Sequence, residues 1–362
     1  MAAMSGPLAH ARFASLPSVL LHDHLDGGVR PGTMLELADA TGYDGLPADD
    51  PVGLAAWMTR GADRRDLGLY LETFVHTVGV MQTTDALARV AGECVEDLTA
   101  DGVVYAEVRF APELHTQRGL RPDDVVEAVL DGFARAAEGT TIRVNTIVTA
   151  MRTGGRSVGV AELALRWADR GVVGFDLAGA EAGFPPAAHR AAFDLVLSDA
   201  RLGLTIHAGE GDGPGSIRGA LACGAQRLGH GVRLADDISV GAGGRTRLGP
   251  LAREVRDRGV PLELCPTSNV HSGAAASIAE HPIGMMTALG FRTTVNTDNR
   301  LMSATTESNE LALIAQAFDW DLDQVEAVVV TAAESAFLHD EDRRELIDEV
   351  VRPGFERVRR DV

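Results

Sequence analysis

Short apolar runs rich in Val, Ile and Leu recur along the chain at residues 18–23, 103–109, 142–148, 172–177, 203–207, 226–230, 260–265 and 292–296. They show no alternation of polar and apolar positions. A strand covered on both faces reads this way, as strands do in a parallel sheet flanked by helices. Between most runs lie amphipathic stretches. Residues 123–137 place Val126, Val129, Leu130 and Phe133 on one helical face. Residues 160–170 and 251–258 behave similarly, and each is closed by a glycine, Gly171 and Gly259. Eight strands alternating with helices predict an α/β protein with a (β/α)8 TIM barrel, a doubly wound sheet being the competitor. Two stretches exceed a minimal barrel. Residues 42–100 read as about three helical segments without a strand, and 266–290 as a loop with a short helix. Both follow strands, so they belong at the C-terminal mouth, where barrels place their active sites, and are candidate lids. Residues 307–350 read as extra C-terminal helices that close the barrel from outside.

Length and charge narrow the picture. At roughly 150 residues per domain, 362 residues suggest two domains, but a barrel of this size is commonly one. With no linker or internal repeat, the expectation is a single domain over 1–362, the 42–100 insertion serving as lid. The chain carries 33 Lys and Arg against 52 Asp and Glu, a formal charge of −19. Such a protein repels polyphosphate, so no nucleic-acid partner is expected. The basic clusters Arg64-Arg65 and 357–360 are short and read as helix surface. Cys94, Cys223 and Cys265 are scattered and odd in number, which argues against a disulfide framework. No apolar run approaches the ~18 residues of a membrane span. The N-terminal stretch has one Arg before Leu21 and no long apolar segment, so no signal peptide is expected and the location is read as cytoplasmic.

Candidate chemistry gathers at strand ends. His22 and His24 flank Asp23 at the end of the first run and point to one side of the strand, a bidentate metal half-site. Asp26 follows in a glycine-containing turn, as a solvated loop acid or an acceptor for a polar substrate. His207 ends the fifth run, with Glu210 three residues on, past a glycine. His230 ends the sixth between two glycines, and Asp298 follows the eighth. Each has a bland reading, a satisfied core histidine or a helix N-cap. In a closed barrel, however, the ends of strands one, five, six and eight meet at one mouth. Three His and one Asp around an ion, with a Glu and another His left over, make a hydrolytic set. Imidazole-rich ligation favours Zn²⁺, which lowers the pKa of a coordinated water.

Seven stretches then fall in one family's order: HDHLDGGVRP (22–31), YAEVRFAPELH (105–115), GFDLAGAE (174–181), HAGEG (207–211), RLGHGVRL (227–234), LELCPTSNV (262–270) and VNTDNRLMS (295–303). On these the chain resembles the adenosine deaminase family of the amidohydrolase superfamily, over nearly its whole length. The resemblance implies one Zn²⁺ per chain, held by His22, His24, His207 and Asp298. It implies that Glu210 gives a proton to purine N1 and that His230 orients the attacking water. It further implies that the Gly179 N–H meets N3 and that Asp26 accepts from the ribose 5′-hydroxyl. The implied partner is a small purine nucleoside. The implied reaction is hydrolytic deamination of adenosine and 2′-deoxyadenosine to inosine, 2′-deoxyinosine and ammonia. One departure is clear: many members carry Asp-Asp where this chain has Asp298-Asn299. The resemblance implies that the second residue faces N7, where the amide of Asn299 can donate directly. Two rivals stand beside this reading. One is a deaminase of another 6-aminopurine, adenine or aminodeoxyfutalosine. The other is a non-catalytic barrel that binds nucleosides or a partner protein. Oligomeric state stays open.

The remaining polar residues receive structural readings. Glu107 and Arg109 are expected to form a buried ion pair, and Cys265 to pack in the core. Ser268 and Asn269 are expected to hold the mouth loop. His10, His76, His115, His189, His271, His281 and His339 are expected to be ordinary. Trp57, Met58, Leu69, Leu71, Phe74 and Val78 read equally as pocket wall or helix core.

Overall fold

The structure is a computed structural model that describes residues 13–241 and 245–360. Eight strands form one sheet in chain order: β1 (Ser18–His24), β2 (Val103–Phe110), β3 (Arg143–Met151), β4 (Val172–Ala178), β5 (Gly203–Ala208), β6 (Arg227–His230), β7 (Leu262–Leu264) and β8 (Thr293–Val295). Every neighbouring pair is parallel. The ends meet through a parallel bridge between Asp23 and Asp298. There the His24 N–H donates to the Asp298 carbonyl at 2.7 Å and the Asp298 N–H to the His22 carbonyl at 2.9 Å. The last contact that closes the barrel therefore joins three candidate site residues.

The expected strands and barrel are present, and the strand residues are almost all buried. The barrel interior is more polar than the apolar runs suggest. Glu107, Arg109, Asp176, Arg227 and Glu263 are all buried. Glu107 and Arg109 do not pair with each other. Arg109 reaches Glu263 at 2.7 Å and Asp176 at 3.4 Å, while Glu107 lies 2.6 Å from Arg227. Side chains two apart on a strand share a face but project side by side, roughly 6–7 Å apart, so each finds its counter-charge on another strand.

The first insertion differs in detail from expectation. Helices Pro51–Ala62, Leu67–Leu71, Phe74–Val80 and Thr84–Ala100 make four segments rather than three. The Asp66 carboxylate caps the second by accepting from the Leu69 N–H at 3.0 Å. The long Thr84–Ala100 helix packs against Pro122–Ala137 as an outer barrel helix, so only the short helices over 67–80 reach the mouth. The second insertion holds two short helices, Pro266–His271 and Ile283–Ala288. A small antiparallel hairpin, Ile238–Val240 with Thr246–Leu248, follows β6 and was not expected. Three-residue strands carry too few positions to show a period. The C-terminal helices Glu307–Phe318, Leu322–Ser335 and Asp340–Glu345 are as anticipated, and Arg352–Arg360 continues the helical stretch past its expected end at 350. Among the described residues no helix is long and apolar enough to cross a membrane. The reading of the N-terminal stretch rests largely on residues 1–12, and that stretch, with His10, lies outside the described residues.

Candidate active site

Strand ends deliver the candidate residues to one point. Asp298 Oδ1 lies 3.3 Å from Nε2 of both His22 and His24. His24 Nε2 is also 3.3 Å from His207 Nε2. Donor atoms of His22, His207, His230 and Asp298 lie within 4.8 Å of one another, and all four residues are buried. His22 Nε2 is buried without a hydrogen bond. Buried polar atoms are nearly always satisfied, so this one marks a place for a ligand or an ion. His230 and Asp298 take left-handed backbone angles, with φ of 61° and 60°. Neither is glycine, and each costs about 1–3 kcal/mol. That strain aims both side chains at the cluster.

The outer edges of the rings are fixed by groups behind them. Glu263 Oε2 lies 2.9 Å from His22 Nδ1, and Asp176 Oδ1 lies 3.0 Å from His207 Nδ1. Each carboxylate accepts from Nδ1–H and leaves Nε2 as a free donor pair, the arrangement that metal-binding histidines use. Ser268 Oγ donates to Asp298 Oδ2, which leaves Oδ1 for the cluster. Asn269 Oδ1 accepts from the Cys265 N–H at 3.3 Å, so its amide faces His230 Nδ1 at 3.0 Å. His230 Nδ1 is then an acceptor, and the proton of the neutral ring sits on Nε2. That Nε2 lies 3.3 Å from Glu210 Oε2.

Burial sets the charges. It holds His24 and His230 well below the ordinary imidazole value, and His207 below it, so all three are neutral. Burial and Arg109 act against a charged His22, yet the nearby Asp298 carboxylate and the Glu263 partner of its Nδ1 raise it. Burial also works against Asp298 ionising, but the adjacent His22 and the other surrounding imidazoles hold its carboxyl well below the usual range. Glu210 goes the other way. Burial, then the Asp298 charge, push it well above the usual carboxylate range. Two carboxyl groups in one site thus favour opposite protonation states, the mark of an acid and its ionised companion.

A cavity of about 400 Å³ opens above the cluster. His24, Asp26, Gly179, His207, Glu210, His230, Asp298 and Asn299 all line it. Asp26 is buried, contrary to a solvated loop acid, and burial raises its pKa to about 7. Asp26 Oδ1 and Asn299 Oδ1 are buried with no partner. The two wall segments touch closely: a Cβ on Gly27 would come within 2.0 Å of Asn299 Oδ1, so any side chain there would displace that of Asn299. Opposite stands an apolar wall from the first insertion. Leu71, Phe74 and Val78 belong to it together with Leu67, Tyr70 and Val75. Met58 is fully buried in the core, and Trp57 and Leu69 do not line the cavity.

Ser268, Asn269 and buried Cys265 behave as expected from sequence. Asp176, Glu263 and Glu181 were missed. An acid inside an otherwise apolar strand run is the signal that finds the first two, because a buried carboxylate needs a partner. His281 was also undervalued: its Nε2 lies 3.2 Å from Asn269 Oδ1, one step behind His230. His189 meets the Arg152 carbonyl through Nε2 and His115 meets the Met81 carbonyl through Nδ1, while His115 Nε2 is buried with no hydrogen-bond partner.

Comparison with known proteins gives a consistent result. The family described as adenosine deaminase matches residues 17–353. The adenosine deaminase of Mycobacteroides abscessus is 54% identical over 358 residues, 97% of this chain and 99% of that one. Adenosine deaminase 1 of Streptomyces coelicolor is 54% identical over 360 residues, 98% of this chain and 91% of that one. Among solved structures, the adenine deaminase of Arthrobacter aurescens superposes with a TM-score of 0.83 at 25% identity, covering 93% of this chain and 98% of that one.

Proposed function

The chain belongs to the adenosine deaminase family, and from that premise we propose how its own residues hydrolyse adenosine to inosine and ammonia. The cluster suits a metal ion. Separations of 3.3 Å between Nε2 and Oδ1 atoms are those of donors set around one tetrahedral ion at about 2.0–2.1 Å. Three imidazoles and one carboxylate select zinc over the hard oxygen-preferring cations. His22, His24, His207 and Asp298 would hold one Zn²⁺. His230 is left out of the set because its Nε2 carries the ring proton. Zinc, when bound, activates water as a nucleophile near neutral pH.

The protein's part is to prepare the purine. C6 is a poor electrophile while the ring is aromatic. Glu210, kept protonated by burial, gives its proton to N1 as the water oxygen forms its bond to C6. The electron pair of the N1–C6 double bond moves onto N1. His230 directs its Nε2–H at the incoming oxygen. The C6–N bond to the amino group then breaks and the C6 carbonyl forms; of the two protons that came in with the water, one leaves on the amino group as ammonia and the other restores Glu210, while the N1 proton stays on the product. The Gly179 N–H holds N3 and the Asn299 amide donates to N7. Asp26, poised near pH 7, meets the 5′-hydroxyl, which both donates and accepts. Its unpartnered Oδ1 in the cavity wall favours a nucleoside over a free base such as adenine.

The observation that carries this reading is the adjacency, in one cavity, of buried Glu210 and the donor cluster, with Glu210 Oε2 3.3 Å from His230 Nε2. The test is reversible metal removal. A chelator should abolish ammonia release from adenosine, and one equivalent of zinc should restore it. Full activity in a protein shown free of metal would contradict the zinc assignment. A second test addresses N7. Asn299→Ala should lower kcat/KM for adenosine by about 1–3 kcal/mol. With 7-deazaadenosine, which has no N7 acceptor, the same substitution should cost nothing. An equal penalty on both nucleosides removes Asn299 from purine recognition.

A further inference from the structure

Glu181 follows β4, is 4% exposed, and is not among the cavity's lining residues. Its carboxylate collects four consecutive backbone N–H groups. Oε1 accepts from Gly209 at 2.6 Å, and Oε2 from Glu210 at 3.0 Å, Gly211 at 2.7 Å and Asp212 at 3.1 Å. Successive amides converge on one point only when the chain turns sharply, and Gly209 supplies the turn with a φ of 80°. Such a ring of amides is an anion-binding nest. Here the anion is a side chain of the protein itself, and the loop it gathers carries Glu210. The same loop is gripped from the other side, where Arg233 Nε donates to the Glu210 carbonyl at 2.7 Å. Both backbone groups of Glu210 are thereby committed, one of them to Glu181.

We propose that Glu181 is a positioning residue for the deamination: by gathering the four amides of 209–212 it sets where the Glu210 carboxyl meets N1, without touching substrate. The inference rests on the reading of Glu210 as the proton donor. The cost of misplacing that group falls on the proton-transfer step, because ground-state binding uses Asp26, Gly179, Asn299 and the apolar wall. A displacement near 1 Å is enough to cost ~10²-fold in rate. The substitution Glu181→Gln keeps size but loses the charge and turns an N–H₂ group toward at least one donating amide.

The experiment measures kcat and KM for adenosine, the dissociation constant of 1-deazaadenosine, and zinc content, in Glu181→Gln and Glu181→Asp. With carbon in place of N1, 1-deazaadenosine reports the pocket without Glu210. In the Gln variant kcat should fall about 10- to 100-fold, while KM and 1-deazaadenosine binding stay within about threefold. The Asp variant, which retains the charge, should recover part of the loss. A Gln variant with kcat within about threefold of wild type overturns the proposal. So does a loss of 1-deazaadenosine binding or zinc that parallels the loss of kcat. If the Gln variant does not fold, the Asp variant is judged alone: lowered kcat with intact 1-deazaadenosine binding supports the proposal, and unchanged kcat overturns it. Glu210→Gln separates the two readings. If that variant is active, the proton-donor role fails. If it is inert while Glu181→Gln is normal, only the role of Glu181 fails.

Discussion

Glu210→Gln should fold, keep its zinc and lose about 10²–10⁴-fold in kcat, the usual contribution of a positioned general acid. Glutamine fills the same volume and still faces N1 with a hydrogen bond, but it has no proton to give. The pH dependence carries the same information. Wild-type kcat/KM should be highest where Glu210 is protonated. It should fall on the alkaline side as pH rises through the raised value that burial and Asp298 impose. The direction follows from the role: a general acid works in its protonated form, and a raised pKa extends that form toward neutral pH. In the Gln variant this alkaline limb should vanish from the residual activity. A kcat near wild type in Glu210→Gln would refute the role outright.

His22→Ala should have the second-largest effect. His22 is the most deeply committed donor of the cluster, buried with Nε2 toward Asp298 and Nδ1 held by Glu263. Removing the ring takes away one ligand, and the Glu263 carboxylate keeps Arg109, Arg227 and Thr205 as partners. The barrel should therefore survive while zinc affinity drops by at least ~10²-fold, more than the loss seen when a supporting partner is removed. Metal analysis after dialysis reads this directly, and activity should fall in step with occupancy. Zinc content equal to wild type would remove His22 from the ligand set.

Much of this was legible in the sequence, for physical reasons. Parallel barrel strands are buried on both faces, so they appear as apolar runs, and seven of the eight barrel strands begin and end within about two residues of those runs. The site residues were legible because barrel chemistry sits where strands end: His207 and His230 terminate runs, and His22 and His24 bracket the end of the first. What escaped was partnership. Arg109 and Glu107 were correctly read as buried, but their partners lie on β7, β4 and β6, and strand spacing says nothing about which distant strand supplies a counter-charge. Asp176 and Glu263 look like isolated acids until closure of the barrel sets them behind His207 and His22. Glu181 hides for the same reason, since its partners are backbone amides 28 to 31 residues away. The insertion was the least legible part. Phe74 and Met58 have similar apolar surroundings in sequence, yet one lines the cavity and the other fills the core.

The proposed substrate is a nucleoside whose sugar is met by Asp26 and whose base is met by Glu210. The most direct measurement is ammonia release by the zinc-loaded protein, with adenosine, 2′-deoxyadenosine, adenine and aminodeoxyfutalosine offered side by side. Rapid turnover of both nucleosides and none of adenine is expected. Turnover of adenine with silence on adenosine, or silence on all four from a protein that holds zinc, would contradict this assignment.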